Sequence, residues 1–205
     1  MVEIRLHGRG GQGTVTAAEL IAEAAFYDKK FVQTFPSFGI ERRGAPVEAY
    51  VRISDQPILL HSQIYQPDYL IIQDSTLISV VDVFRGAKKG AFVVINTEKG
   101  PEKFRNLPKG IKIQTVPATQ IALKILGKPI INTVLLGAFA GACGLIDPFS
   151  LRKAITQRFK GEIAQKNIKA MNTAYCHCNS TDAYCFKADK CKIALDGGQK
   201  FAVEC

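Results

Sequence analysis

The sequence predicts an α/β domain with three layers, α/β/α, around a mixed, mainly parallel sheet. Three observations predict it. The chain opens with an alternating strand, a glycine-rich turn and an Ala-rich helical stretch. Continuous apolar runs of strand length then alternate with helical segments, the pattern of parallel strands covered on both faces. One segment, 47–53, alternates with period two and fits an antiparallel strand in the same sheet.

The elements follow in order. Residues 2–7 form the first strand, and Gly8-Arg9-Gly10-Gly11-Gln12-Gly13-Thr14 follows it directly. Thr14 to Phe26 reads as an amphipathic helix, and residues 30–34 as the second strand. Residues 34–46 are punctuated by Pro and Gly and read as a loop. After the strand at 47–53, Pro57 and the short run 58–60 extend the hairpin region. Residues 69–73 and 91–95 are buried strands, with a helix expected between them from Leu77 to Arg85. The last clear strand is 111–116.

From Ala118 the pattern is helical. Ile121, Ala122, Ile125 and Leu126 share one face. Asn132-Thr133 leads into 134–143, apolar nearly all round and therefore a buried helix, with Cys143 in the core. Asp147-Pro148 starts a further helix carrying Leu151, Ile155 and Phe159, and 163–174 forms the last. The chain thus divides into a domain at 1–174 and a Cys-rich C-terminal extension at 175–205.

At 205 residues, 47% hydrophobic and 22% charged, the chain is globular in composition. No apolar run has bilayer length, and the opening strand is charged, unlike a signal peptide. A cytoplasmic protein without a membrane partner is expected. The net charge of +9 suits an anionic cofactor or an acidic partner. The basic residues are dispersed and no nucleic-acid-binding signature occurs, so nucleic acid is not expected.

The glycine turn satisfies G-x-G-x-x-G. Glycines permit a tight turn and close approach, and the helix start that follows offers unpaired N–H groups to an anion. An NAD site would add an acidic residue at the end of the second strand, but Gln33 and Thr34 stand there. The plain alternative is a turn that only lets helix and sheet pack. In an α/β sheet, ligands gather beyond the carboxyl ends of the strands. The glycine turn, the strand ends at Asp74 and Asn96, and the loop carrying Phe35 to Arg43 are expected to converge there.

Catalytic signatures are missing: there is no G-x-S-x-G, no Walker lysine and no H-E-x-x-H. His7 reads as structural and His61 as a lone hairpin residue. Five of six cysteines, Cys176, Cys178, Cys185, Cys191 and Cys205, fall in the last thirty residues. They contain no C-x-x-C pair and no ferredoxin run, so a peripheral extension is preferred over a soft-metal site around His177.

Two motifs at their proper separation carry a resemblance. His7-Gly8-Arg9-Gly10-Gly11-Gln12-Gly13, then Phe35-Pro36-Ser37-Phe38-Gly39-Ile40-Glu41-Arg42-Arg43-Gly44-Ala45-Pro46, resemble the gamma subunits of 2-oxoacid:acceptor oxidoreductases, pyruvate:ferredoxin oxidoreductase in particular. The stretch from Asn132 to Gly144 resembles that family's buried C-terminal helix, and the likeness spans about Val2 to Ala174. The resemblance implies a role in converting pyruvate and coenzyme A to acetyl-CoA, carbon dioxide and reduced ferredoxin. It implies that thiamine diphosphate, Mg and the iron–sulfur clusters belong to alpha, beta and delta partners, and that ferredoxin is met through the complex. This chain would contribute assembly and coenzyme A binding, without catalytic or metal-ligating residues of its own.

Carried onto this sequence, the candidate contacts are Gly8, Arg9, Gly10, Gly11, Gln12, Gly13 and Thr14 of the turn, and Ser37, Phe38, Glu41, Arg42 and Arg43 of the loop. Arg42 or Arg43 would meet a coenzyme A phosphate or a partner carboxylate, and Glu41 would orient one of them. Related complexes acting on 2-oxoglutarate, a branched-chain 2-oxoacid or indolepyruvate are the first alternative. A free-standing nucleotide-binding regulatory module is the second, and the absence of copurifying partners would distinguish it.

Overall fold

The computed structural model describes residues 1–37, 43–104, 108 and 110–179, together with the strands Cys191–Ala194 and Lys200–Val203. Its centre is a mixed six-stranded sheet in the order β2-β3-β1-β4-β5-β6. The strands are β1 Val2–Arg9, β2 Phe31–Pro36, β3 Pro46–Ser54, β4 Tyr69–Ile72, β5 Phe92–Asn96 and β6 Lys112–Val116. β1, β4, β5 and β6 are parallel to one another, whereas β3 runs antiparallel to both β1 and β2. The mixed, mostly parallel α/β architecture agrees with the sequence pattern.

Strand alternation splits the core in two. Ile4 and Leu6 of β1, with Ala49, Val51, Ile71 and Val94, face the five α-helices of the described residues. These are α1 Thr14–Tyr27, α2 Ala118–Leu126, α3 Asn132–Cys143, α4 Pro148–Arg158 and α5 Gly161–Cys178. α3 is buried nearly all round, as its composition dictates. It lies tight against α5 because Gly137 and Gly141 carry no Cβ: a methyl group there would meet the Met171 and Tyr175 carbonyl oxygens at 2.0 and 2.4 Å. On the opposite face, Leu70, Ile72, Val93 and Ile95 pack under Leu77, Val83 and Phe84.

That second covering layer differs from the expected helix at 77–85. The chain makes only a short 3-10 helix, Ser75–Ser79, and then turns. Val80, Val81 and Val83 are poor helix formers because their χ1 angles are restricted. The turns also aim the carbonyls of Val83 and Arg85 at the buried Arg5 guanidinium, 3.1 and 2.7 Å away.

β2 runs to Pro36, further into the expected loop than sequence suggested. Phe35 stacks on Tyr50 with centroids 5.1 Å apart and receives the Arg52 guanidinium at 5.6 Å. Pro36 is tolerated because β2 is an edge strand. Residues 57–60 form no strand; Leu59 is exposed, and the Leu60 carbonyl accepts from Gln33 Nε2 at 2.9 Å.

α4 begins as expected, with Asp147 accepting from Phe149 N at 3.0 Å. α5 runs past the expected Ala174 and buries Cys176 and Cys178. Cys143 is partly buried against the main core, and burial pushes its thiol and that of Cys178 up to about 12. Beyond α5, β7 Cys191–Ala194 and β8 Lys200–Val203 pair antiparallel. Cys185 and Cys205 lie outside the described residues. Among the described residues no helix is long and apolar enough to cross a membrane, and no group of three or more His, Cys, Asp or Glu is placed to hold a metal ion.

Candidate functional site

The chain leaves β1 through α1 to β2 on one side, while β4 opens the connections to β5 and β6 on the other. The carboxyl ends of β1 and β4 are therefore a topological switch point, where open α/β sheets hold ligands. A cleft of about 940 Å³ occupies this place. The turn residues Gly10, Gly11, Gln12 and Gly13 line it, with Arg43, Asp74 and Asn96. Turn and strand ends converge as expected, and of the loop Arg43 lines the cleft. Ser75 and Lys99 continue the cleft toward Lys103 and Phe104.

Three α-helix N-termini border the cleft. Gly13 is the N-cap of α1, in the left-handed conformation at φ 74°, and no side chain caps that end. Pro117 and Thr119 bring the start of α2, and Ile131 and Asn132 the start of α3. Each start contributes a partial positive charge of roughly half an elementary unit. The first N–H groups of α1 have no intrahelical acceptor, since its first intrahelical bond is Ala17 N to Gly13 O.

Several turn side chains serve the turn itself. Arg9 Nε meets Asp74 Oδ2 at 2.7 Å, while its other nitrogens donate to Thr76 Oγ1 at 2.8 Å and the Gly44 carbonyl at 3.1 Å. Burial would raise the Asp74 carboxyl, but hydrogen bonds from Thr76 and Arg9 outweigh it and hold the group below its ordinary range. Gln12 Oε1 accepts from Arg9 N at 2.8 Å. Thr14 points inward and donates to Gln73 Oε1 at 2.8 Å. Gly8 has no room for a side chain, because a Cβ would lie 2.1 Å from Thr14 Oγ1 and 2.5 Å from Gln73 Oε1.

The loop is joined to the turn by backbone pairing. Gly10 N donates to the Ala45 carbonyl at 2.9 Å, and Gly44 N to the Gly10 carbonyl at 3.0 Å. At the loop's other end Ser37 N donates to the Glu48 carbonyl at 2.9 Å. Arg43 is exposed at the cleft rim. Phe38, Glu41 and Arg42 lie outside the described residues.

Sequence reading expected Asn96 at this place but missed Gln73 and the placement of Asn132 beneath the turn. Gln73 is completely buried yet lines the cleft, and among the described residues its Nε2 has no hydrogen-bond partner. Asn132 uses Oδ1 to accept from Thr133 N at 2.8 Å, and its Nδ2 lies against Gly13. Asn96 ties β5 to α2, donating from Nδ2 to the Gln73 carbonyl and to Thr119 Oγ1, both at 2.9 Å. The available signal was a polar residue ending an apolar strand run, as Gln73 does.

Below the turn, Arg5 Nε donates to His7 Nε2 at 3.1 Å, and His7 Nδ1 lies 3.6 Å from Glu48 Oε1. Burial pushes His7 down to about 4, against the opposing pull of Glu48, so the ring is neutral at pH 7 and accepts from Arg5. Tyr50 donates to Glu48 Oε2 at 2.6 Å, and burial together with that bond raises its phenol to about 12. His7 is thus a structural residue, as its position in the first strand suggested.

A profile of the pyruvate ferredoxin/flavodoxin oxidoreductase family matches residues 3–176. The chain is 55% identical over 175 residues to pyruvate synthase subunit PorC of Methanocaldococcus jannaschii, covering 85% of this chain and 96% of that one. It is 51% identical over 179 residues to the pyruvate/ketoisovalerate oxidoreductases common subunit gamma of Pyrococcus furiosus, again covering 85% and 96%. The crystal structure of pyruvate oxidoreductase subunit PORC from Thermotoga maritima is similar with a TM-score of 0.76 at 35% identity, covering 85% of this chain and 94% of that one. Identity above one half along nearly the whole length of such relatives places the chain in the pyruvate ferredoxin/flavodoxin oxidoreductase family, as the gamma subunit of a pyruvate/2-oxoacid ferredoxin oxidoreductase complex.

Proposed function

We propose that this subunit binds coenzyme A in the cleft at the end of β1 and presents it to a complex that converts pyruvate to acetyl-CoA, carbon dioxide and reduced ferredoxin. The observation that carries this reading is the meeting of three α-helix N-termini at one cleft, beneath a glycine turn. Backbone N–H groups and helix dipoles favour phosphate, and coenzyme A carries a diphosphate and a further phosphate. The cleft volume falls in the ordinary range for nucleotide-sized ligands, roughly 300–1,000 Å³. Arg43 at the rim supplies a planar donor suited to a phosphate, and Arg42 of the same loop would add a second, with Glu41 orienting one of the arginines.

In this reading the carbon–carbon cleavage belongs to thiamine diphosphate and Mg in partner subunits, and electron transfer to their iron–sulfur clusters and then ferredoxin. The gamma chain holds and orients the thiol-bearing acceptor of the acetyl group. The partners are alpha, beta and delta subunits, and the assembly works in the cytoplasm. The net charge of +9 complements both the cofactor and acidic partner surfaces. A branched-chain 2-oxoacid is the second substrate reading, favoured by the relative whose name assigns it to pyruvate and ketoisovalerate enzymes together.

The test is coexpression with the neighbouring subunits, followed by kinetics of the assembled enzyme. The chain should copurify with thiamine- and cluster-bearing subunits at moderate salt, and alone it should be colourless and inactive on pyruvate. Gly10→Val and Arg42→Ala should each raise the apparent KM for coenzyme A and leave that for pyruvate unchanged. A chain that stays monomeric in coexpression refutes the assembly role. Intact assembly with unaltered coenzyme A affinity in both variants refutes the binding role.

A further inference from the structure

We infer that the Gln73 carboxamide is the inner anchor of this cleft, donating from Nε2 to a phosphate oxygen seated at the start of α1. The inference takes the ligand's identity from the coenzyme A reading; its geometry is independent of it. Gln73 follows β4 directly, and its backbone is locked on both sides. Its N–H donates to the His7 carbonyl at 2.8 Å, and its carbonyl accepts from Asn96 Nδ2 at 2.9 Å. The side chain lies in the space left open at Gly8, where its oxygen accepts from Thr14. Its Nε2 is then a buried donor without an acceptor. Such a group is costly to leave unmade, and a ligand oxygen recovers that cost on binding.

The chemistry selects the class of ligand. Gln73 and Asn132 both spend their oxygens on protein donors, Thr14 Oγ1 and Thr133 N. Asn132 Nδ2, which lies against Gly13, and the buried Gln73 Nε2 are then left as donors. A group that accepts and does not donate satisfies them, as a fully ionised phosphate does. An ammonium group would leave donor facing donor. Asp74, the acidic neighbour, does not oppose this, because Arg9 neutralises it at 2.7 Å.

The experiment compares Gln73→Glu, Gln73→Met and Arg43→Ala in the assembled, thiamine-replete complex. Binding of coenzyme A and of inorganic pyrophosphate is measured by calorimetry, and the KM values for coenzyme A and pyruvate by steady-state kinetics. Gln73→Glu keeps the oxygen that accepts from Thr14 and replaces only the orphan donor. It should weaken both ligands about tenfold or more with pyruvate KM nearly unchanged, and lower the thermal midpoint more at pH 8 than at pH 6, because the carboxyl is buried. The loss should deepen from pH 6 to pH 8 as the new carboxyl ionises. Gln73→Met should weaken both ligands less than Glu does, while lowering the thermal midpoint, because Thr14 loses its partner. If Gln73→Glu binds both ligands normally while Arg43→Ala weakens coenzyme A, Gln73 is structural and the coenzyme A reading stands. If Gln73→Glu weakens pyrophosphate while no variant affects coenzyme A, the anchor stands and the coenzyme A reading falls.

Discussion

Thr14 and Gln73, 59 residues apart in sequence, share a buried 2.8 Å hydrogen bond that fills the space where Gly8 lacks a side chain. The glycine that opens the turn therefore has a packing role. Close approach at Gly8 is by the protein's own α1 and β4, which it brings together at the cleft floor.

Gly8→Ala should for this reason destabilise the chain by about 1–3 kcal/mol, the usual cost of overpacking a filled site. The urea midpoint should fall. In a Thr14→Ala background the same change should cost less, because the nearer of the two clashing atoms is gone. A double-mutant cycle measures this coupling, and strict additivity would show that Gly8 is needed for its backbone and not for the space.

The α3–α5 contact makes a sharper demand. At Gly137 and Gly141 a Cβ meets main-chain carbonyls and not flexible side chains, so the helices must separate. Gly137→Ala should cost about 3 kcal/mol or more and lower the thermal midpoint of the isolated chain. Gly127→Ala is the contrast. Its Cβ would meet nothing within 4 Å, so its penalty comes only from the positive φ of 69°. That penalty should be about 1–2 kcal/mol.

Much of this architecture is legible in residue order. Continuous apolar runs gave the positions of β4 and β5, and the alternation at 47–53 gave the antiparallel β3. The convergence of the glycine turn with Asp74 and Asn96 follows from the rule about strand carboxyl ends. Other features depend on tertiary partners that no local pattern carries. The turns at 80–86 replace a helix because they cover one sheet face and receive Arg5 from β1. Phe35 extends β2 because Tyr50 and Arg52 are its cross-strand neighbours. The charge of Arg9 is visible in sequence, whereas the Asp74 that engages it is 65 residues away. Gln73 escaped notice for the converse reason: its unpaired nitrogen is a property of the packed site alone.

Arg9 joins three parts of the cleft wall: β1, the start of the 3-10 helix and the loop at Gly44. Its fork meets Asp74, Thr76 and Gly44 at once, a geometry an ammonium group does not reproduce. Arg9→Ala should lower stability by about 1–2 kcal/mol, the range for a partly buried, charge-assisted contact. Arg9→Lys should recover only part of it. The Asp74 carboxyl should titrate higher in the Ala variant, since one of the groups holding it down is gone. Urea midpoints in the order wild type, Lys, Ala, together with the carboxyl titration by NMR, check this. Equal stability of Arg9→Lys and wild type would reduce Arg9 to a point charge.

Acid should destabilise the chain through His7. His7 is buried on the sheet face that also carries Arg5 and Glu48 of the neighbouring strand, with Arg85 approaching from the turns above. Burial lowers its pKa from 6.5 to about 4 in the folded chain, Arg5 and Arg85 push the same way, and Glu48 opposes them. Between those two pH values the unfolded chain binds a proton that the folded chain refuses. Stability from this residue is therefore full above pH 6.5 and is lost as pH falls toward 4. At pH 5 the loss should be about 2 kcal/mol relative to pH 7.5. Asp74 is held low, so its own contribution disappears only further into acid. Protonating His7 would also set two cations against each other, because Arg5 Nε donates to His7 Nε2. His7→Gln should keep an acceptor for Arg5 and remove the titration. Its urea midpoint should change much less than that of the wild type between pH 7.5 and pH 5. Parallel losses in the two proteins would move the acid sensitivity away from His7 to another group.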